Sequence, residues 1–263
     1  EQCGIKTIVT SRAFLEKLGL DPKDSRYLFA EDLAGQITAK NKQRAWLKAR
    51  FVPARWIGNP KKTPDDTAAI LYSSGSSARP KGIMLSHHNI MSNLETVRTI
   101  FKFDQSTRLC GVLPFFHSFG LTCTLWLPLL SGVSVYYVPN PLDGQAVGQT
   151  VGQNQCTILF ATPTFLTCYL RRCEKDEFRT LEYVVVGAEK LKQELIDSFY
   201  ENFGIRPLEG YGATELSPMI SLNVPDVEVG GGRQQGTKAG SVGRPIPGVA
   251  TRVIDDQTGH LVE

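Results

Sequence analysis

The sequence predicts an α/β fold in which parallel strands are joined by crossover helices. Short apolar runs at 68–73, 109–114, 133–138, 156–161 and 181–186 have the length and continuity of buried strands. Helix-period segments lie between them, and strands that alternate with helices build a parallel sheet with helices on its faces. In such sheets a ligand sits beyond the carboxyl ends of the strands, and the unusual residues of this chain follow strand ends.

Taken in order, residues 33–64 hold no acidic residue, while Lys40, Lys42, Arg44, Lys48, Arg50, Arg55, Lys61 and Lys62 alternate with Trp46, Phe51 and Trp56. That mixture suits docking on anionic lipid or an acidic partner, or a solvated linker whose tryptophans pack back on the core. The first strand then runs into a loop of hydroxyls, glycines and a lysine, residues 72–82. Ser86 caps a helix expected to reach about Phe101. Leu191, Leu195, Ile196, Phe199, Tyr200 and Phe203 share one apolar helix face. Residues 230–236 are a flexible loop by composition, and residues 253–262 read as the opening of a hairpin.

The bulk numbers exclude several classes. In 263 residues, 41% hydrophobic and 21% charged, there is too much apolar content for disorder. A net charge of +3 is too small to imply nucleic acid. The six cysteines form no C-x-x-C pair and are too sparse for a disulfide framework, which points to reduced thiols and a cytoplasmic face. Residues 119–138 approach the length of a membrane span, but Pro128, Ser131 and Gly132 break them. No secretory leader is legible at Glu1, so the sequence reads as starting within a longer protein and stopping inside a domain.

Four constellations carry chemistry. In the first, Ser73, Ser74, Gly75, Ser76 and Ser77 precede Lys81: glycines admit backbone N–H groups to phosphate oxygens, serines add donors, and Lys81 supplies a point charge. Pro80 and Gly82 break the G-x-x-x-x-G-K-[ST] pattern, so a Walker-type ATPase is excluded. In the second, Gly210, Tyr211, Gly212, Thr214 and Glu215 offer a flat ring for stacking, a phosphate donor and a hard oxygen for Mg2+. The third, Gly187, Ala188 and Glu189, ends a buried strand in small residues against which adenine can lie; a plain tight turn explains the same letters. The fourth sets His117 among Phe115, Phe116 and Phe119, and by itself this pattern fits a packed core imidazole better than a catalytic group. His87 and His88 have no ligand-spaced partners and take no role.

Together, residues 72–82, 115–121, 187–189 and 210–215 resemble in order and spacing the core motifs of the adenylate-forming superfamily. Within it, residues 116–122, 183–191 and 208–215 are similar to bacterial acyl-[acyl-carrier-protein] synthetases fused to 2-acylglycerophosphoethanolamine acyltransferases. The resemblance implies an acid–thiol ligase that uses ATP and Mg2+ to join a fatty acid to AMP and then to a thiol of acyl carrier protein or coenzyme A. It implies that residues 73–81 clasp the outer phosphates, that Gly187, Ala188, Glu189 and Tyr211 surround adenine, and that Thr214 and Glu215 serve phosphate and Mg2+. His117 would lie between AMP and the acyl pocket. Residues 1–238 would then belong to the α/β part of the large domain and 239–263 to the start of its β-barrel subdomain. The ribose-binding aspartate and catalytic lysine would lie further on. The full-length protein is expected on the cytoplasmic side, in contact with the inner membrane surface. Ser76-Ser77-Ala78-Arg79 departs from the family's usual Thr-Thr-Gly-x.

Overall fold

The computed structural model describes residues 3–58, 61–73, 80–229 and 232–262. The chain divides into two compact units, residues 1–62 and 63–263.

In the first unit, β1 (Ile8–Thr10) leads through α1 (Arg12–Leu18) to β2 (Tyr27–Phe29), which pairs with it in parallel. Ser11 caps α1 and Gly19 ends it in the left-handed region. Arg12 bonds Asp32 at 2.7 Å and lies over the Phe29 ring. Then come α2 (Ala30–Gln36), α3 (Ala39–Phe51) and α4 (Ala54–Ile57). Leu15 is the only buried residue among those described in this unit.

The second unit opens with a hairpin: β3 (Thr67–Ser73) pairs antiparallel with β4 (Lys81–Ser86), Ser73 standing opposite Lys81. The first predicted strand is therefore separate from the main sheet, and residues 81–86, expected to lead into a helix, form its partner. Ala69, Leu71, Ile83 and Leu85 alternate onto the core side, as the two-residue period of a strand requires. Ser86 and Asn89 form a reciprocal capping box that starts α5 (His87–Ile100), whose Ile90, Leu94 and Val97 are buried.

The main sheet follows. β5 (Arg108–Gly111) leads into one continuous helical segment made of α6 (Ser118–Gly120), a π-helical stretch Leu121–Trp126 and α7 (Leu127–Ser131). Next are β6 (Ser134–Tyr137), α8 (Gly144–Asn154), β7 (Ile158–Ala161), α9 (Pro163–Arg172), β8 (Tyr183–Val186), α10 (Gln193–Phe203), β9 (Leu208–Gly212) and β10 (Met219–Leu222). A short hairpin, β11 (Val227–Val229) with β12 (Gly232–Gln234), precedes β13 (Arg244–Pro245).

The strand order is β13-β10-β9-β8-β7-β5-β6. The five strands from β6 to β9 are parallel as predicted, while β10 and β13 extend the sheet antiparallel. β7 is buried along its whole length, which accounts for its uninterrupted apolar run. Phe178, Phe199 and Phe203 pack ring to ring beneath α10, and Gly204 closes that helix at φ 75°.

The 230–236 stretch, loop-like by composition, contributes the strand β12; Gly230 and Gly231 lie outside the described residues. Ile254 and Leu261 bridge antiparallel across a turn, the hairpin opening read from the sequence. Among the described residues no helix is long and apolar enough to cross a membrane. Cys110, Cys123, Cys156, Cys168 and Cys173 carry free thiols.

Candidate functional site

A cleft of about 160 Å³ opens at the carboxyl ends of β8 and β9. Its lining includes His117, Gly187, Ala188, Gly210, Tyr211, Gly212 and Thr214, so three of the four predicted constellations converge on one place. Glu189 and Glu215 follow lining residues in the chain and are exposed. Of the first constellation, Ser73 and Lys81 close the hairpin ladder, and β4 packs beside the turn Thr214–Leu216. Ser74, Gly75, Ser76 and Ser77 lie outside the described residues.

The glycines of this site sit on a strand rather than in a turn. β9 runs through Gly210 to Gly212, and a Cβ on Gly212 would overlap the Pro218 carbonyl oxygen of the neighbouring β10 segment. A Cβ on Gly210 would press on Leu222 at 3.0 Å. Glycine is what lets two backbones approach this closely beside a ligand cleft. Ala188 stands at φ 71°, a left-handed conformation that costs a non-glycine residue roughly 1–2 kcal/mol and persists only where its surroundings impose it.

His117 is exposed and lines the cleft, so it is not the packed core imidazole that its aromatic neighbours suggested. It precedes α6, and its Nδ1 accepts the Phe119 N–H at 3.3 Å. With Nδ1 as acceptor, the neutral ring carries its proton on Nε2. A second, almost wholly apolar cavity of about 120 Å³ shares His117, Phe119 and Ala188 with the first and is walled by Leu113, Phe116 and Phe165.

Several residues that sequence reasoning missed hold these parts in place. Asn93 of α5, buried, donates to the carbonyls of Met219 at 2.9 Å and Leu216 at 3.3 Å and accepts from Met219 N–H. Thr122, in the π-helical stretch, donates to the Ser217 carbonyl at 3.2 Å, and buried Ser118 donates to the Thr214 hydroxyl at 3.4 Å. Glu209 is buried and accepts the Leu191 N–H at 3.0 Å, which ties β9 to the loop after β8. Thr164 donates to Glu189 at 2.7 Å. Asn93 was detectable as a polar residue on the same helix face as Ile90, Leu94 and Val97. A π-helical turn inside an α-helix is rare and concentrates at functional sites, and here it adjoins the cleft.

The sequence pattern of the AMP-binding enzyme family matches the chain over residues 1–263. The chain belongs to that family. It is 33% identical over 208 residues to "Probable 4-coumarate–CoA ligase 1" of Dictyostelium discoideum, covering 77% of this chain and 35% of that protein. A long-chain-fatty-acid–CoA ligase of Escherichia coli O157:H7 is 27% identical over 207 residues, 77% of this chain and 36% of that protein. The ATP-bound crystal structure of MatB from Rhodopseudomonas palustris superposes with a TM-score of 0.65 at 31% identity, over 77% of this chain and 38% of that one. The chain thus spans little more than a third of the length of these relatives. Its α/β fold matches the N-terminal domain of adenylate-forming enzymes.

Proposed function

We propose that the whole protein activates a fatty acid with ATP and passes the acyl group to a phosphopantetheine thiol. The observation that carries this reading is the meeting of the strand-end wall Gly187–Ala188, the glycine strand leading to Thr214 and the exposed His117 around one cleft that shares His117, Phe119 and Ala188 with an apolar cavity. In the first step a carboxylate oxygen attacks the α-phosphorus of ATP, the bond to the bridging oxygen breaks and pyrophosphate leaves, giving an acyl-adenylate. In the second the thiol sulfur attacks the acyl carbon, AMP departs and the thiol proton passes to solvent.

The residues act mainly by positioning. Tyr211 and the Gly187–Glu189 segment take the adenine, Thr214 donates to phosphate, and Lys81, fixed by the hairpin, offsets triphosphate charge together with the 74–77 serine loop. His117 donates through Nε2 where the carboxylate passes between the two cavities. Among the described residues no three His, Cys, Asp or Glu side chains gather around a common metal site. That fits Mg2+, which takes one or two carboxylates and fills its remaining positions with water and substrate phosphate. Glu215 would hold it, and bound there it would supply charge neutralisation to the triphosphate.

The uncharged walls Leu113, Phe116, Phe119 and Phe165 favour an acid with an apolar chain. For the acceptor, the resemblance of residues 183–191 and 208–215 to carrier-protein synthetases supports acyl carrier protein, with delivery to a lysophospholipid by a fused acyltransferase. The names of the relatives support coenzyme A as a second reading. We place the reaction on the cytoplasmic side, where ATP and reduced thiols are available. The test is to supply the full-length protein with mixed fatty acids, ATP, carrier protein and coenzyme A. Carrier thioester is the expected product; coenzyme A thioester alone would establish the second reading. Binding of ATP without acid-dependent exchange of pyrophosphate into it would reduce the protein to a non-catalytic binding module.

A further inference from the structure

Helix α3 has no buried residue on any side. A 13-residue helix is marginal in water unless something covers part of it. Its composition states what chemistry would do so: Lys40, Lys42, Arg44, Lys48 and Arg50 lie on it, no acidic residue occurs anywhere from 33 to 64, and among the described residues none of the five forms an ion pair.

The apolar side chains are placed asymmetrically. With 3.6 residues per turn, Trp46, Leu47, Arg50 and Phe51 fall on one side of the helix, within an arc of roughly 140°. The Trp46 and Phe51 rings meet edge to face at 6.5 Å, and the Arg50 guanidinium lies over Phe51 at 5.7 Å. Trp46 is 63% exposed and Phe51 69%, with Leu47 exposed between them. Lys40 interleaves with this arc, and Lys42 and Arg44 flank it. Trp46 thus stands exposed on its helix within the unit of residues 1–62.

We propose that α3 docks on an anionic phospholipid surface, with Trp46, Leu47 and Phe51 entering the headgroup boundary and Lys40, Lys42, Arg44 and Arg50 neutralising lipid charge. A lipid interface takes the cations and the rings together, because aromatic rings favour the headgroup level and clustered cations are attracted by anionic headgroups. The inference is independent of the ligase reading, since it involves neither the cleft nor ATP.

The experiment is co-sedimentation of the 263-residue chain with phosphatidylcholine vesicles made with and without phosphatidylglycerol, across a salt series. Binding is expected only with phosphatidylglycerol present and is expected to weaken as salt screens the charges. Each near-surface cation contributes roughly a fivefold factor to partitioning. The variant Lys40→Gln/Lys42→Gln/Arg44→Gln/Arg50→Gln is thus expected to lose about two orders of magnitude or more. Trp46→Ala/Phe51→Ala should weaken binding several-fold while keeping its salt dependence. These positions are exposed, so circular dichroism identical to the parent is expected and serves as the folding control. Failure of the parent to bind the anionic vesicles, or unchanged binding by the charge variant, would overturn the proposal. So would tight binding of soluble polyglutamate that ignores Trp46→Ala/Phe51→Ala, which would assign the helix to an acidic protein instead.

Discussion

The turn that carries Thr214 and Glu215 is fastened from outside itself: Asn93 reaches it from α5, Thr122 from the π-helical stretch and Ser118 from the segment that also presents His117. The loop 187–191 across the cleft is fastened more simply, by Glu209 at one end and an exposed Thr164–Glu189 hydrogen bond in its middle. The difference follows from what each wall must hold. A flat adenine can rest against a strand end whose backbone is already fixed by the sheet. In the proposed reading Thr214 and Glu215 would serve phosphate and need a defined direction, and the turn bearing them is held by the sheet only through the short β9–β10 ladder. Because Ser118 sits between His117 and Phe119, one segment lines both cavities and also bonds the Thr214 turn.

The contrast predicts a graded series of effects. Gly212→Ala should be the most damaging, because the new Cβ collides with the Pro218 carbonyl and must push β9 from β10; a loss of about 3 kcal/mol or more is expected in urea unfolding, with adenylation abolished in the whole protein. Asn93→Ala leaves the buried Met219 carbonyl and the part-buried Leu216 carbonyl without their donor and should cost about 2 kcal/mol, and Asn93→Asp, which lacks the donating nitrogen, should not restore it. Glu209→Ala should cost about 1–2 kcal/mol and raise the KM for ATP, whereas Glu209→Gln keeps an acceptor for Leu191 N–H and should recover most of both. Ser118→Ala is the mildest, under about 1 kcal/mol, and shows instead as a KM for ATP raised a few-fold with kcat little changed. If Glu209→Ala proved costlier than Asn93→Ala, the two walls would be held in the opposite way from that described.

Much of this was legible in the sequence, and what was not has identifiable causes. β5, β7 and β8 declare themselves because strands covered on both faces are apolar without interruption. β4 does not, because Lys81-Gly82-Ile83-Met84-Leu85-Ser86 mixes exposed and core residues and abuts a strongly capped helix. The glycines at 210 and 212 do not announce a strand because glycine alone is ambiguous; only the approach of Pro218 and Leu222 shows why a strand tolerates them. The predicted residues that line the cleft were singled out by their chemistry. Those that steady them, Asn93, Ser118, Thr122 and Glu209, are polar residues within apolar stretches, and their partners lie far along the chain or on a neighbouring strand. The exposure of α3 was beyond the sequence altogether, since a basic and aromatic helix is written with the same letters whether its tryptophan is packed or free.

The hairpin of β3 and β4 has a consequence for how this site can change over evolution. Lys81 belongs to the ladder, so its register opposite Ser73 is set by the rungs Tyr72–Gly82 and Leu71–Ile83. The cation's anchor therefore does not depend on the composition of the serine loop. A substitution between the two strands leaves the lysine registered by the strands that flank the loop.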